Sequence, residues 1–423
     1  MNSKAKTTDA KVAGNPALLP KLRFPGFDKS WSYEPLSKSL KEHKIKNTAG
    51  RDVYSVSMEY GIVNQIELLG RSFAAADTSH YTIGRRFDVV YTKSPLKAFP
   101  FGIVKQCKFD GEVALSPLYG VFTPANPHLG LMIEAYFESP NRSKDFLSPL
   151  CQKGAKNTLQ ITNTTFLSGR LPLPTQPTEQ QRIAECLSSV DELIAAQDRK
   201  VDALKIHKKG LMQQLFPQEA ESQPRLRLPE FKNAGEWEPR KAGTLFTNRV
   251  TKGEQGLPIY SVTMHDGMVR RDSLDRNFYD IEDAARNKKV CKGDIAYNMM
   301  RMWQGALGVA PEDCLVSPAY IVLAPMKGAV PVFFQYLLKL PTTILLLTSH
   351  SRGLTKDRLR LYYDDFASIT LWCPAPPEQQ RIASCLTSLD ALIAVETKKL
   401  EALKIHKNGL MQQLLPSLEV VEA

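Results

Sequence analysis

The chain lacks paired cysteines. Its seven cysteines are scattered through 423 residues with no C-x-x-C spacing, and no H-E-x-x-H or other paired Cys/His arrangement accompanies them. Neither a disulfide framework nor a metal centre is therefore expected. Thiols used this way read as reduced, in a cytoplasmic protein. No G-x-x-x-x-G-K-[ST] phosphate loop occurs, which speaks against ATP hydrolysis by this chain, and no G-x-S-x-G elbow occurs either. Residues 1–18 are polar and lack the apolar core of a signal peptide, so they read as a disordered tail. The most apolar stretch, Val330–Thr348, is broken by Gln335, Lys339 and Pro341. It is too interrupted to span a membrane and reads as a buried helix of a globular domain.

What is present is a surplus of positive charge. Lys plus Arg exceed Asp plus Glu by 55 − 44 = 11. Two segments hold almost none of it. Thr178–Pro217 balances six basic against six acidic residues, and Pro377–Pro416 has five against four, which leaves 11 − 0 − 1 = 10 positive charges elsewhere. A basic surface on the remaining segments suits a polyanion, most often nucleic acid. Charge that serves only solubility gives the same count.

Those two segments are repeats of each other. At an offset of 199 residues, 27 of 40 positions are identical, so the chain is a tandem of two similar halves. With Leu187 at heptad position a, Ile183, Leu187, Val190, Ile194, Val201, Leu204, Leu211 and Leu215 fall on a or d. Ile382, Leu386, Leu389, Ile393, Leu400, Leu403, Leu410 and Leu414 take the same places in the second copy. A narrow apolar stripe of period 3.5 predicts a coiled-coil seam. Gln197 and Lys208 break it, and Glu396 and Lys407 repeat the breaks. Thr178 with Gln181 has the form of a capping box, and Pro377 suits a first helical turn. Pro217 and Pro416 mark the ends, with Gly210 and Gly409 placed to loosen the last turns. A helix of about 36 residues is a rod of roughly 54 Å.

The duplication extends beyond the helices. Leu22-Arg23-Phe24-Pro25-Gly26-Phe27 and Trp31 recur as Leu226-Arg227-Leu228-Pro229-Glu230-Phe231 and Trp237. Tyr54-Ser55-Val56-Ser57-Met58 is echoed by Tyr260-Ser261-Val262-Thr263-Met264, and Asp88-Val89-Val90-Tyr91 by Asp294-Ile295-Ala296-Tyr297. Short β-branched or aromatic runs predict strands at Val53–Ser57, Asp88–Thr92, Glu112–Leu115 and Leu118–Phe122. Ile259–Thr263, Asp294–Asn298, Leu315–Val316 and Tyr320–Leu323 are their counterparts. Pro331–Leu340 and Leu129–Phe137 read as helices, and Arg170–Leu173 and Ile369–Trp372 as final strands. The expected organisation is a tail (1–18), a first domain (19–176), a helix (177–217), a second domain (218–375), a second helix (376–416) and a C-terminal tail (417–423). The fold class is α+β: two globular mixed α/β domains separated by two long helices packed as an antiparallel coiled coil.

One near-miss has to be weighed. Ser116-Pro117-Leu118-Tyr119 and Ser317-Pro318-Ala319-Tyr320 approach the S-P-P-Y form with which amino-methyltransferases grip a flipped base. The second proline is missing, and no glycine-rich turn for S-adenosylmethionine accompanies either copy. The bland reading is a strand entered through Ser-Pro with the tyrosine in the core.

Two variable domains alternating with two near-identical helices, each introduced by proline and E-Q-x-x-I at Pro177–Ile183 and Pro377–Ile382, resemble the specificity subunit of a type I restriction–modification enzyme. Leu171-Pro172-Leu173-Pro174 precedes the first copy. Leu371-Trp372-Cys373-Pro374 departs slightly before the second, and Gly353–Lys356 fits the family's style better than Gly154–Asn157. The resemblance covers residues from about 20 to 416. It implies two target-recognition domains, each reading one half of a split, asymmetric sequence in double-stranded DNA. It further implies that two adenine-modifying subunits dock on the helices and domains, that restriction subunits join them, and that this chain has no catalytic residues of its own. S-adenosylmethionine, ATP and Mg2+ would sit on those partners. No metal and no membrane are expected.

DNA contacts must then come from the domains, through cations that meet phosphates and polar groups that meet base edges. Candidates in the first half are Arg51, Arg85, Arg86, Lys93, Lys153 and Lys156; in the second they are Lys252, Arg270, Arg271, Arg301, Arg352, Lys356 and Arg358. Ser57 and Glu59, with Thr263 and His265, are candidates for reading bases. Each of these is also an ordinary surface residue by type. Ile206 and Ile405 fall on the outer face of the helices, so with His207 and His406 they are candidates for partner docking; recent duplication accounts for their identity equally. A coiled-coil adaptor that holds two protein ligands without touching DNA is the competing reading, and a self-contained methyltransferase the third.

Overall fold

The computed structural model describes residues 19–153, 159–218, 221–274 and 284–416. Expectations for residues 1–18, for Gly154–Asn157 and for residues 417–423 lie outside them. Two compact units form: residues 1–197 with 399–423, and residues 198–398.

In the first half of the chain, β1 (Ser32–Pro35) and β2 (Leu40–Glu42) lead into β3 (Val53–Ser57), β4 (Gly61–Asn64) and the short helix α1 (Gln65–Leu69). Next come β5 (Thr82–Arg85), β6 (Val89–Tyr91), β7 (Val104–Gln106), β8 (Glu112–Leu115) and β9 (Gly120–Pro124). Then follow α2 (Pro127–Phe137), α3 (Pro140–Leu147), β10 (Gln152–Lys153), β11 (Leu159–Gln160), α4 (Asn163–Ser168), β12 (Arg170–Leu173) and the long α5 (Pro177–Leu215). The second half has β13 (Glu238–Lys241), β14 (Phe246–Asn248), β15 (Tyr260–Val262), β16 (Met268–Arg270), β17 (Lys288–Val290) and β18 (Ile295–Asn298). It continues with β19 (Leu307–Val309), β20 (Cys314–Val316), β21 (Tyr320–Pro325), α6 (Pro331–Leu337), α7 (Pro341–Ser349), α8 (Tyr363–Ser368), β22 (Thr370–Cys373) and the long α9 (Pro376–Leu414).

Each unit is built around an antiparallel four-stranded sheet, ordered β2-β9-β6-β7 in the first and β14-β21-β18-β19 in the second. In the first unit a second sheet, β4-β3-β8-β5, carries one parallel pair, β3 with β8. The corresponding strands of the second unit form the hairpin β15–β16 and the pair β17–β20, with a parallel bridge from Ile259 to Leu315 between them. A ribbon of β1 with β12, or β13 with β22, ties the start of each domain to the strand that feeds its long helix.

The long helices belong to the domain cores. In the first unit Ile183 and Leu187 of α5 pack with Met411, Leu414 and Leu415 at the end of α9, against Trp31, Phe137, Phe146 and Phe166. In the second, Leu215 and Phe216 meet Ile382 and Leu386, against Trp237, Phe333 and Phe366. Rising numbers on one helix face falling numbers on the other, so the two run antiparallel within each unit. All sixteen seam side chains are buried or half-buried.

Helix α5 begins at Pro177 and α9 at Pro376, as the expected organisation has them, but several local details differ. Thr178 is therefore already helical and forms no capping box; Gln181 donates instead to Glu185, at 2.7 Å. Both helices run through Gly210 and Gly409 to Leu215 and Leu414, because packing of the last turn outweighs the helix cost of one glycine. Val330–Thr348 is two helices rather than one, bent by 84° where Pro341 starts α7. Among the described residues no single helix is long and apolar enough to cross a membrane. Leu118 lies in a turn and is 71% exposed.

Candidate nucleic-acid interface

The two hairpins that carry the base-reading candidates are built alike. In the first, β3 pairs with β4 so that Ser57 faces Gly61, and the turn spans Met58 to Tyr60. Ser57 Oγ accepts the Tyr60 N–H at 3.2 Å, and Gly61 sits at φ 72°. In the second, Thr263 Oγ1 accepts the Asp266 N–H at 2.9 Å, Thr263 N donates to the Gly267 carbonyl at 2.7 Å, and Gly267 sits at φ 68°. A hydroxyl that closes the turn and a glycine in the left-handed region fix the shape of each tip. Ser57 and Thr263 are engaged in building the turns, whereas Glu59 and His265 are exposed.

The cationic candidates divide into paired and unpaired. Arg51 and Arg85 converge on Glu112, at 3.2 and 3.0 Å. Their hydrogen bonds hold its carboxyl below the usual range. Arg86 pairs with Asp110 at 2.6 Å, Arg270 with Asp272 at 3.6 Å, and Arg352 with Asp365 at 2.6 Å. Arg271 Nε donates to Ser261 Oγ at 3.2 Å, and Arg301 to Gln304 Oε1 at 3.4 Å. Burial pulls the Lys93 ammonium below its ordinary value. Lys252, Lys356 and Arg358 are exposed, with no ion pair to any described residue. The Lys153 side chain and Lys156 lie outside the described residues.

On the helices Ile206 and Ile405 are 72% and 70% exposed, and His207 and His406 are exposed beside them. The heptad breaks have partners. Lys208 bonds Asp390, which also accepts the Tyr336 hydroxyl at 2.6 Å. Lys407 bonds Glu138 at 2.6 Å and Asp191 at 2.7 Å. Burial alone would lower that ammonium, but the two carboxylates outweigh it and hold it raised. Lys200 pairs with Glu396 at 3.1 Å.

Sequence reasoning passed over what the E-Q motif does. Glu179 takes two bonds from Arg23, at 2.7 and 2.9 Å, and one from the Trp31 indole at 3.2 Å. Glu378 repeats this with Arg227, at 2.9 and 2.6 Å, and with Trp237 at 3.4 Å. Gln180 and Gln379 donate to the carbonyls of Pro174 and Pro374. The motif latches the start of each domain to the start of its helix. The signal was present: Arg23 and Arg227 stand at matching places in the repeated L-R-x-P segment.

The two Ser-Pro-x-Tyr segments are turns. The amides of Tyr119 and Tyr320 donate to the carbonyls of Ser116 and Ser317, each at 3.0 Å. The tyrosines pack at the edges of neighbouring cores.

Tandem mixed α/β domains, each joined to the ends of two long antiparallel helices, define a class of tandem-repeat α+β protein. Residues 236–404 match the family described as Type I restriction modification DNA specificity domain. A type I restriction enzyme specificity subunit of Methanocaldococcus jannaschii is 25% identical over 281 residues, which are 62% of this chain and 62% of that protein. The match thus spans less than two thirds of the relative's length. In fold, the S subunit of a type I restriction–modification system from M. genitalium superposes with a TM-score of 0.57 at 13% identity, covering 95% of this chain and 100% of that one. Residues 236–404 thus carry a domain of that family, and the chain as a whole is similar to the specificity subunits of type I restriction–modification systems.

Proposed function

We propose that the chain supplies DNA sequence specificity to a modification and restriction assembly and has no catalytic role of its own. Each domain reads one half of a bipartite, asymmetric target in duplex DNA, while the helices hold the half-site spacing and dock two modification subunits. The observation that carries this reading is the contrast between scaffold and tip. The hairpins share their turn chemistry, and the helices are nearly identical in sequence, yet the side chains offered at the two tips differ. Different half-sites need different readers; identical docking sites need one repeated surface. Ile206 and Ile405, too exposed to serve the seam, suit that surface.

Deleting the chain from its host is expected to abolish one split adenine-methylation motif, read by methylome sequencing. An unchanged methylome would sink the proposal and favour a protein adaptor that never touches DNA.

Charge gives a second expectation. Lys252→Ala and Lys356→Ala should each lower the salt slope of DNA binding by about one, the value for one lost phosphate contact. Arg51→Ala should lower it less, because Glu112 already neutralises that arginine. Equal slopes for all three variants and the wild type would remove these residues from the interface.

A further inference from the structure

We propose that the residue at the centre of each hairpin tip, Glu59 in the first unit and His265 in the second, sets the base read at one position of its half-site. On this proposal both tips address a G·C pair, Glu59 from the cytosine side and His265 from the guanine side. The proposal deepens the DNA-reading function above and rests on it.

Glu59 and His265 stand two residues after the capping hydroxyl and two before the left-handed glycine. Met58 and Met264 precede them in both tips. The backbone that presents the two side chains is therefore the same, and their chemistry is the variable. Both are exposed, and neither bonds another described residue.

The neighbouring position also differs, Tyr60 against Asp266. Both flank the apex, and the amide of each is held by the hydroxyl that closes its turn. Ser57 and Thr263 are held by the turn. At the apex itself, midway between hydroxyl and glycine, each tip presents one exposed polar side chain, Glu59 or His265.

The chemistry is complementary. An ionised glutamate only accepts hydrogen bonds, so in the major groove it suits an exocyclic amino group, by preference N4 of cytosine. A histidine carries at least one ring N–H in either tautomer and suits the acceptors N7 and O6 of guanine. A rigid tip favours such reading, because the side chain alone pays an ordering cost on contact.

The test uses the full assembly, with Glu59→Ala and His265→Ala introduced separately and the methylome sequenced. Glu59→Ala is expected to relax a single G·C position in one half of the motif, with discrimination falling about tenfold. His265→Ala is expected to relax a single G·C position in the other half. Motifs identical to wild type, relaxation at A·T positions, or both relaxations in the same half would overturn the proposal. Thermal midpoints of the purified variants guard against misfolding; if either falls, Glu59→Met and His265→Leu, which keep bulk without a strong hydrogen-bonding group, are read by the same criteria. A wild-type assembly with no split motif would instead remove the DNA-reading function itself, which separates the two failures.

Discussion

Leu386→Asp is expected to unfold the second unit, and Leu187→Asp the first. Leu187 is 1% exposed and Leu386 is 0% exposed. Each sits in a domain core as well as on the seam, Leu187 among Trp31, Phe137 and Phe166 and Leu386 among Trp237, Phe333 and Phe366. Losing the leucine side chain costs about 2–5 kcal/mol, and burying a carboxylate adds several more. Domain stabilities are about 5–15 kcal/mol in total, so the damage does not stop at the helix pair. Hydrogen exchange should show amide protection lost throughout the unit that carries the substitution. Protection lost along the helices alone, with both sheets intact, would show that the seam and the domain cores are separable. The middle of the seam offers the gentler probe of spacing, because Val201, Leu204 and Leu403 lie outside both of those core clusters.

Glu179→Ala and Glu378→Ala should each cost about 3–5 kcal/mol, the usual result of removing one partner from a buried ion pair. Glu179 is 1% exposed in its side chain and Arg23 is 16% exposed; the values for Glu378 and Arg227 are 3% and 17%. Removing the carboxylate leaves a guanidinium with two unmet donors and an indole N–H without its acceptor. The loss should fall on the unit that contains the variant. For Glu179→Ala, fast exchange is expected around β1, β12 and the first turn of α5, with a lower urea midpoint. A midpoint equal to wild type would mean that the latch contributes nothing net, as some buried ion pairs do when desolvation cancels attraction. Glu179→Gln should recover part of the loss, since an amide oxygen can still accept from the indole and from one guanidinium N–H.

These expectations divide along a physical line. The duplication, the two helices and the mixed domains could be read from residue order, because heptad spacing and the repeated segments are local patterns of side-chain type. Val53–Ser57, Glu112–Leu115 and Arg170–Leu173 have the bounds expected of them, since each alternates or clusters β-branched and apolar residues between clear turn signals. The capping box at Thr178 failed because the preceding proline pre-sets helical φ, so that Thr178 lies already inside a helix that starts at Pro177. Leu118 failed as a strand residue because the Ser-Pro turn takes up its position.

Among the candidate site residues, type and order narrowed the field without ranking it. The sequence shows Ser57, Glu59, Thr263 and His265 as four polar residues after two similar strands. Only the folded hairpins separate the two hydroxyls that close the turns from the two side chains left at the tips. Arg51 and Arg85 look like free cations in the sequence, yet Glu112, 61 and 27 residues away, draws both to itself. The same holds for the E-Q motif. Its spacing marks the helix start, but its partners Arg23 and Arg227 lie 156 and 151 residues away. What the sequence determined by itself is periodic: which faces are apolar, where the chain repeats, and how long the helices run. What the tertiary structure decided is pairing. Whether a polar side chain is committed or available depends on groups brought near by the rest of the fold, and no local pattern encodes that distance.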